Sequence, residues 1–206
     1  MTLTAYNHVP IPSFMYGTAW KKEATTQLVQ LAVALGFRAI DTANQLIHYE
    51  EALVGEALQA LEKKGIKRDT LFLQTKFTPV GGQGGRSPYD ASADLTTQVR
   101  QSFDSSLAHL RTEYVDSYVL HGPYSRRGLG EADWEVWVAM EGLYQSGKTK
   151  KIGITISRPI NLHNFVNRRV INPWWCRTGV LPRSDGTKRL GRFAKRMASS
   201  IKAFRC

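Results

Sequence analysis

The chain has 206 residues, 42% of them hydrophobic, enough for one domain with a full apolar core or for two small ones. No apolar run approaches the roughly 20 residues a membrane span requires, and Met1-Thr-Leu-Thr-Ala-Tyr-Asn7 lacks the basic start and apolar stretch of a secretory leader, so a cytoplasmic location is expected. The net charge of +11 suggests a nucleic-acid binder until it is divided: Trp174 to Cys206 holds nine Lys/Arg against the single Asp185, which is +8 of the total, and also both cysteines, Cys176 and Cys206. The body before Trp174 thus has no disulfide framework, which suits a reducing compartment.

Taken in order, Phe14-Met-Tyr-Gly-Thr18 predicts a first strand, and residues 23–35 a helix with Leu28, Leu31 and Leu35 at helical spacing and Gly36 as its C-cap. A second strand, Phe37-Arg-Ala-Ile-Asp41, leads through a loop to a helix over 50–64, with Leu53, Val54, Ala57, Leu58 and Leu61 on one face and Gly65 stopping it. The apolar run Leu71-Phe-Leu-Gln-Thr-Lys76 is a third strand, after which Leu95, Val99, Phe103, Leu107 and Leu110 mark a third helix. Val115-Asp-Ser-Tyr-Val-Leu-His121 is a fourth strand, 131–146 a fourth helix carrying Trp134, Trp137, Val138 and Tyr144, and Lys151-Ile-Gly-Ile-Thr155 a fifth strand. A fifth helix is expected to begin over Asn161 to Val166.

Strands alternating with helices of this length imply βαβ units and a parallel sheet. Strands of such a sheet, buried on both faces, read as near-continuous apolar runs, and polar function collects at their C-terminal ends. Three successive strands end in Asp41, Lys76 and His121, which places a carboxylate, an ammonium and an imidazole on one rim. Between the third strand and the third helix lies Val80-Gly-Gly-Gln-Gly-Gly-Arg-Ser-Pro-Tyr89. This loop lacks the Gly-Lys-Ser/Thr that opens a helix in a phosphate-binding loop, and a mobile lid or surface loop is expected instead.

Five segments then carry a family resemblance over residues 8 to about 173. They are Gly36-Phe-Arg-Ala-Ile-Asp-Thr-Ala43, Glu51-Ala-Leu-Val-Gly-Glu-Ala57, Phe72-Leu-Gln-Thr-Lys76, Leu120-His121 and Gly147-Lys-Thr-Lys-Lys-Ile-Gly153. In order and spacing they resemble the aldo-keto reductases. That resemblance implies an α/β fold of the parallel (β/α)8 TIM-barrel type, here incomplete, with about five of eight units before Pro173. It also implies NADPH or NADH as cofactor, a small carbonyl substrate, and reduction of aldehydes or ketones to alcohols without a metal, a membrane or a nucleic acid.

The family's catalytic tetrad falls on Asp41, Tyr49, Lys76 and His121. A free tyrosine is a poor acid at neutral pH. A nearby Lys76 ammonium favours the phenolate, Asp41 keeps that lysine charged and oriented, and His121 orients and polarises the carbonyl. Each residue also has a plainer reading: Lys76 as a solvated charge, Asp41 as a turn cap, His121 as a core histidine, Tyr49 as a structural aromatic. In the family's usual spacing the tyrosine follows the aspartate by five residues, where this chain has Leu46. Tyr49 follows by eight and requires a longer loop, Asn44-Gln-Leu-Ile-His48, to present it. Trp20 resembles an aromatic wall of the substrate pocket and reads equally as a core tryptophan. Thr155 stands where the family has a serine that holds the nicotinamide carboxamide, and Ile156, which cannot hydrogen-bond an amide, stands where it has an asparagine.

Beyond residue 173 the pattern stops, so the expected division is a partial barrel over 1–173 and a basic irregular tail over 174–206. One coding of a family-like Val-Val-Gln-Asn-Arg, read one nucleotide late, yields Trp-Cys-Arg-Thr-Gly, which is Trp175 to Gly179. A longer family-like peptide can be coded so that the shifted frame gives Leu190 to Arg205. The tail is therefore expected to be a frameshifted or mis-spliced reading of the sixth strand and helix. In the family the clamp for the cofactor's adenosine phosphate lies in the last two units, so weak or no activity is expected of the chain as written. Two alternatives remain open: a polyanion or nucleic-acid binder using the tail with Trp174, Trp175, Phe193 and Phe204, and a non-catalytic barrel fragment pairing with another subunit through its open edge.

Overall fold

A computed structural model describes residues 2–4, 10–125, 129–155 and 174–176. Two short strands, β1 (Thr2–Thr4) and β2 (Pro10–Pro12), pair antiparallel as a hairpin. Six further strands form one sheet in chain order: β3 (Tyr16–Gly17), β4 (Ala39–Asp41), β5 (Phe72–Phe77), β6 (Ser117–Leu120), β7 (Ile152–Thr155) and β8 (Trp174–Cys176). Every neighbouring pair is parallel. The helices α1 (Thr25–Ala34), α2 (Glu51–Lys63), α3 (Leu95–Leu110) and α4 (Glu131–Gln145) fall between successive strands from β3 to β7. Strands paired in sequential order, with a helix after each from β3 to β6, are an arc of the expected parallel barrel. Among the described residues no helix is long and apolar enough to cross a membrane.

The alternation along each strand sorts the two faces. Ile40, Leu73, Phe77, Tyr118, Leu120, Ile152 and Ile154 join one buried cluster with Val54, Leu58, Val99, Phe103, Trp137 and Met140 of the helices. The intervening residues, Asp41, Gln74, Lys76, Ser117, Val119, Gly153 and Thr155, therefore point to the barrel interior. Lys76 and Val119 are in register, as are Leu120 and Ile154, so the C-terminal ends of β5, β6 and β7 form one rim.

The helices match their predicted spans more closely than their predicted faces. Gly36, Gly65 and Gly147 all have positive φ (+99°, +85° and +77°) and end their helices as expected. In α1, however, Thr25, Val29, Ala32 and Val33 are buried while Leu31 and Leu35 are exposed. Helical spacing fits both stripes, and the small, β-branched stripe is the one that packs closely. Val138 of α4 is likewise exposed, with Val136, Trp137 and Met140 buried in its place. Helices α2 and α3 approach so closely that a Cβ on Gly55 would lie 2.0 Å from the His109 carbonyl oxygen, and no larger residue fits there without moving backbone.

One feature departs from the sequence reading. Trp174–Cys176, assigned by composition to the tail, pairs with β7 (Gly153 with Trp174, Ile154 with Trp175, Thr155 with Cys176) and carries the sheet one strand past residue 173. Its backbone satisfies the N–H and C=O groups that β7 would otherwise present as an edge. The glycine loop is a surface loop, one of its two expected readings, with Gly81, Gly84, Gly85 and Arg86 exposed, and it is anchored at two points. Gln83 and Tyr89 are buried, Gln83 Nε2 donates to the carbonyls of Asn44 (2.9 Å) and Thr78 (3.2 Å), and the Tyr89 hydroxyl donates to Thr78 O (2.7 Å). The helix expected at Asn161–Val166, Ile156 and the tail from 177 onward lie outside the described residues.

The opposite, N-terminal end of the sheet is held by charge. Asp116 accepts from Arg68 (2.9 Å), Lys150 (2.9 Å) and the Leu73 amide (3.0 Å), and both cations lie over the Tyr114 ring. Lys151, buried beside this group, has its pKa pushed down to about 8 by desolvation, partly opposed by Asp116. These contacts tie β5, β6 and β7 together away from the rim.

Candidate active site

Asp41 ends β4, and Thr18 fastens the neighbouring strand to it through two bonds to the Asp41 carbonyl, both 3.0 Å. Its side chain turns into the barrel, where Lys76 Nζ donates to Oδ1 at 2.6 Å and also to the Thr42 carbonyl at 2.8 Å. Lys76 is fully buried. A buried ammonium is tolerable only with a carboxylate and a carbonyl in reach, and here it has both. Gln74, one inward position earlier on β5, donates to the same Asp41 oxygen at 2.6 Å and accepts from the Ser117 hydroxyl at 3.0 Å.

The long loop after β4 is short in space. Tyr49 N and His48 N both bond back to the Gln45 carbonyl (3.1 and 3.3 Å), which winds residues 45–49 into a single turn. That turn absorbs the extra residues and brings the Tyr49 ring to 5.1 Å from Lys76 Nζ and 5.9 Å, edge to face, from the His121 ring. The turn is fastened to the glycine loop, since Gln45 Nε2 donates to Gly82 O (2.8 Å), leaving Gln45 Oε1 to accept from His48 Nδ1 (2.7 Å). A backbone carbonyl thus settles the amide's orientation and, through it, the protonated nitrogen of His48.

His121 follows β6, with its amide on the Phe77 carbonyl (2.8 Å) and its Nδ1 2.8 Å from Thr78 Oγ1. Desolvation first, then the charges of Lys76 and His48, hold its pKa down at about 3, so the imidazole is neutral near pH 7. It borders a cleft of about 450 Å³ lined also by Gln45, Thr78, Gly82, Pro123 and Tyr124. Trp20 is exposed rather than a core residue, has φ +62°, and stacks on His48 with ring centroids 3.9 Å apart.

Asp41, Tyr49, Lys76 and His121 are therefore brought together, and Trp20 sits at the edge of this group through His48. Thr155 stands apart at the end of β7. It is buried, and its Oγ1 finds no hydrogen-bond partner among the described residues. A buried hydroxyl left without a partner on this rim suits an amide or similar polar group of a ligand. Gln74, Gln45 and Thr78 were not singled out from the sequence. Gln74 carries a readable signal, a polar residue two before Lys76 and so on the same face. Gln45 and Thr78 carry none, because their partners come from distant loops.

Parallel strands in sequential order, with an Asp–Lys pair, a tyrosine and a neutral histidine at their C-terminal ends, define the chain as part of a parallel α/β barrel with a polar cluster on its rim. The sequence profile of the Aldo/keto reductase family matches residues 13–170, and the chain belongs to that family. It is 30% identical to the uncharacterised oxidoreductase YtbE of Bacillus subtilis over 174 residues, covering 82% of this chain and 55% of that one. It is 34% identical to the NADPH-dependent alpha-keto amide reductase of Saccharomyces cerevisiae over 166 residues, covering 75% and 48%. Among solved structures, the aldo/keto reductase from Brucella melitensis superposes with a TM-score of 0.74 at 25% identity, covering 100% of this chain and 71% of that one. The chain spans about half the length of the curated relatives it matches.

Proposed function

We propose that this chain carries the proton-donating half of an NADPH-dependent carbonyl reductase, acting on a small aldehyde or ketone in the cleft beside His121. The observation that carries this reading is the convergence of Lys76, Asp41, Tyr49 and His121 from three strands and a loop. The Asp41 carboxylate keeps Lys76 charged in a buried position. Lys76, 5.1 Å from the Tyr49 ring centre, stabilises the negative charge that develops on the phenol oxygen as its proton leaves. His121 is neutral and so orients the carbonyl by hydrogen bonding without adding a second cation.

The reduced nicotinamide, when bound, supplies the hydride. Thr155, with its unpartnered hydroxyl, would hold the cofactor's carboxamide, while Tyr49 returns a proton to the oxygen of the reduced carbonyl. The preference for NADPH follows the yeast relative whose name states it. A cytoplasmic location belongs to the same proposal.

The test uses NADPH deuterated at the transferring position and a small 1,2-dicarbonyl with the purified chain, and follows deuterium in the alcohol by mass spectrometry. Slow transfer is expected, well below the roughly 10 s⁻¹ of a typical enzyme, and Y49F should abolish it. No transfer at millimolar cofactor, or transfer that Y49F leaves unchanged, would sink the reading.

A further inference from the structure

Thr78 has no role in the site as described so far, yet its geometry bears on His121. A neutral imidazole has one N–H, and only if Nε2 carries it does His121 offer a donor to a group in the cleft while Nδ1 accepts. Thr78 Oγ1 lies 2.8 Å from Nδ1. That hydroxyl has no other partner among the described residues, and Thr78 is only 3% exposed. Were Nδ1 the donor, the hydroxyl hydrogen would have no acceptor among the described residues, and a buried hydroxyl left unpaired costs on the order of 1–3 kcal/mol. With the hydroxyl donating to Nδ1, both groups are satisfied.

The hydroxyl is also held in place. Threonine is stiff at χ1, and the Thr78 methyl abuts Gly82, where an added Cβ would stand 2.8 Å from Cγ2. Its carbonyl is pinned by Tyr89 and Gln83 of the glycine loop. His121 is fixed from the other side by its backbone bond to Phe77.

We infer that Thr78, clamped by the glycine loop through Gly82, Gln83 and Tyr89, is a positioning residue that locks His121 in the tautomer with the proton on Nε2. This gives the glycine-rich stretch a purpose that no phosphate accounts for: it sets one rotamer, and through it one proton. The consequence for turnover rests on the reductase reading, whereas the tautomer itself does not.

The experiment is a long-range ¹H–¹⁵N correlation spectrum of the full chain without substrate or cofactor, which distinguishes a protonated from an unprotonated ring nitrogen. The unaltered protein should show His121 protonated at Nε2 with Nδ1 as acceptor. In T78V, which keeps the shape and removes the hydroxyl, the protonated nitrogen should change or the two forms mix; T78S should restore the original pattern. G82A, which crowds the threonine methyl, should mix the forms with the hydroxyl still present. A spectrum of the unaltered protein with the proton on Nδ1 overturns the inference, and needs no variant to fold. A T78V spectrum identical to the original overturns it too. If deuteride transfer is observed, T78V should slow it about tenfold, a fraction of the loss expected for removing a whole oxyanion donor, and T78S should not. Absence of transfer with the predicted spectra would count against the reductase reading alone.

Discussion

Lys76 Nζ and Asp41 Oδ1 lie 2.6 Å apart, with the ammonium fully buried and the carboxylate side chain 16% exposed. The pair joins two neighbouring strands at the level where Gln74 reaches the same oxygen. Replacing Lys76 by Met keeps much of the volume and removes the charge, leaving Asp41 with a single amide partner from this group. Breaking a mostly buried pair from one side costs about 3 kcal/mol. The urea midpoint of K76M should fall accordingly with an unchanged slope, and D41N, which removes the other charge, should also be destabilised.

Tyr49 separates chemistry from stability. Its ring packs against His121 and Lys76 through faces that phenylalanine also has. Y49F should therefore unfold within about 1 kcal/mol of the unaltered chain while losing the proton donor, a loss of about 10²–10⁴ in rate for general acid catalysis. Thermal melts set beside the deuterium assay check both halves. A large drop in stability would make Tyr49 a structural aromatic.

His121 and His109 should titrate in opposite senses. Burial and the neighbouring positive charges hold His121 near pKa 3. The Glu51 carboxylate, hydrogen-bonded to His109 at 3.4 Å, raises that histidine above its ordinary value. As pH falls from about 6.5 toward 3, the unfolded chain takes up a proton at His121 that the folded chain refuses, so this group weakens the fold in acid. His109 contributes stability below about pH 6.5 that is lost as pH rises through its raised folded value. NMR titration should show His121 unchanged down to about pH 4 and His109 titrating with a midpoint above 6.5.

Gly55 is a packing requirement. Its added Cβ would meet the His109 carbonyl at 2.0 Å, a backbone atom that cannot swing aside. Despite alanine's better helix propensity, G55A should destabilise the chain by about 1–3 kcal/mol. It should also disturb the Glu51–His109 contact, lowering the His109 midpoint in the same titration.

Much of this architecture was legible in the chain. Apolar runs ending in Asp41, Lys76 and His121 named the strands and the rim, because burial on both faces leaves few places for a charge except a strand's exit. The glycines after three helices marked their ends through a backbone preference that is local. The burial of α1 was not legible: the Leu28–Leu31–Leu35 stripe and the Val29–Ala32–Val33 stripe are both periodic, and only the shape of the neighbouring surface chooses between them.

What the sequence determined by itself was the order of elements and the residue types at the strand ends, since both follow from local preference and periodicity. The tertiary structure alone decided that residues 45–49 close into a turn that returns the Tyr49 ring to Lys76. It likewise decided that the glycine loop is anchored through Gln83 and Tyr89, that Thr78 faces His121, and that Trp174–Cys176 continues the sheet. Those outcomes depend on hydrogen-bond partners 35 to 43 residues apart for the site, a separation over which composition and periodicity carry no information and only packing and hydrogen-bond satisfaction choose.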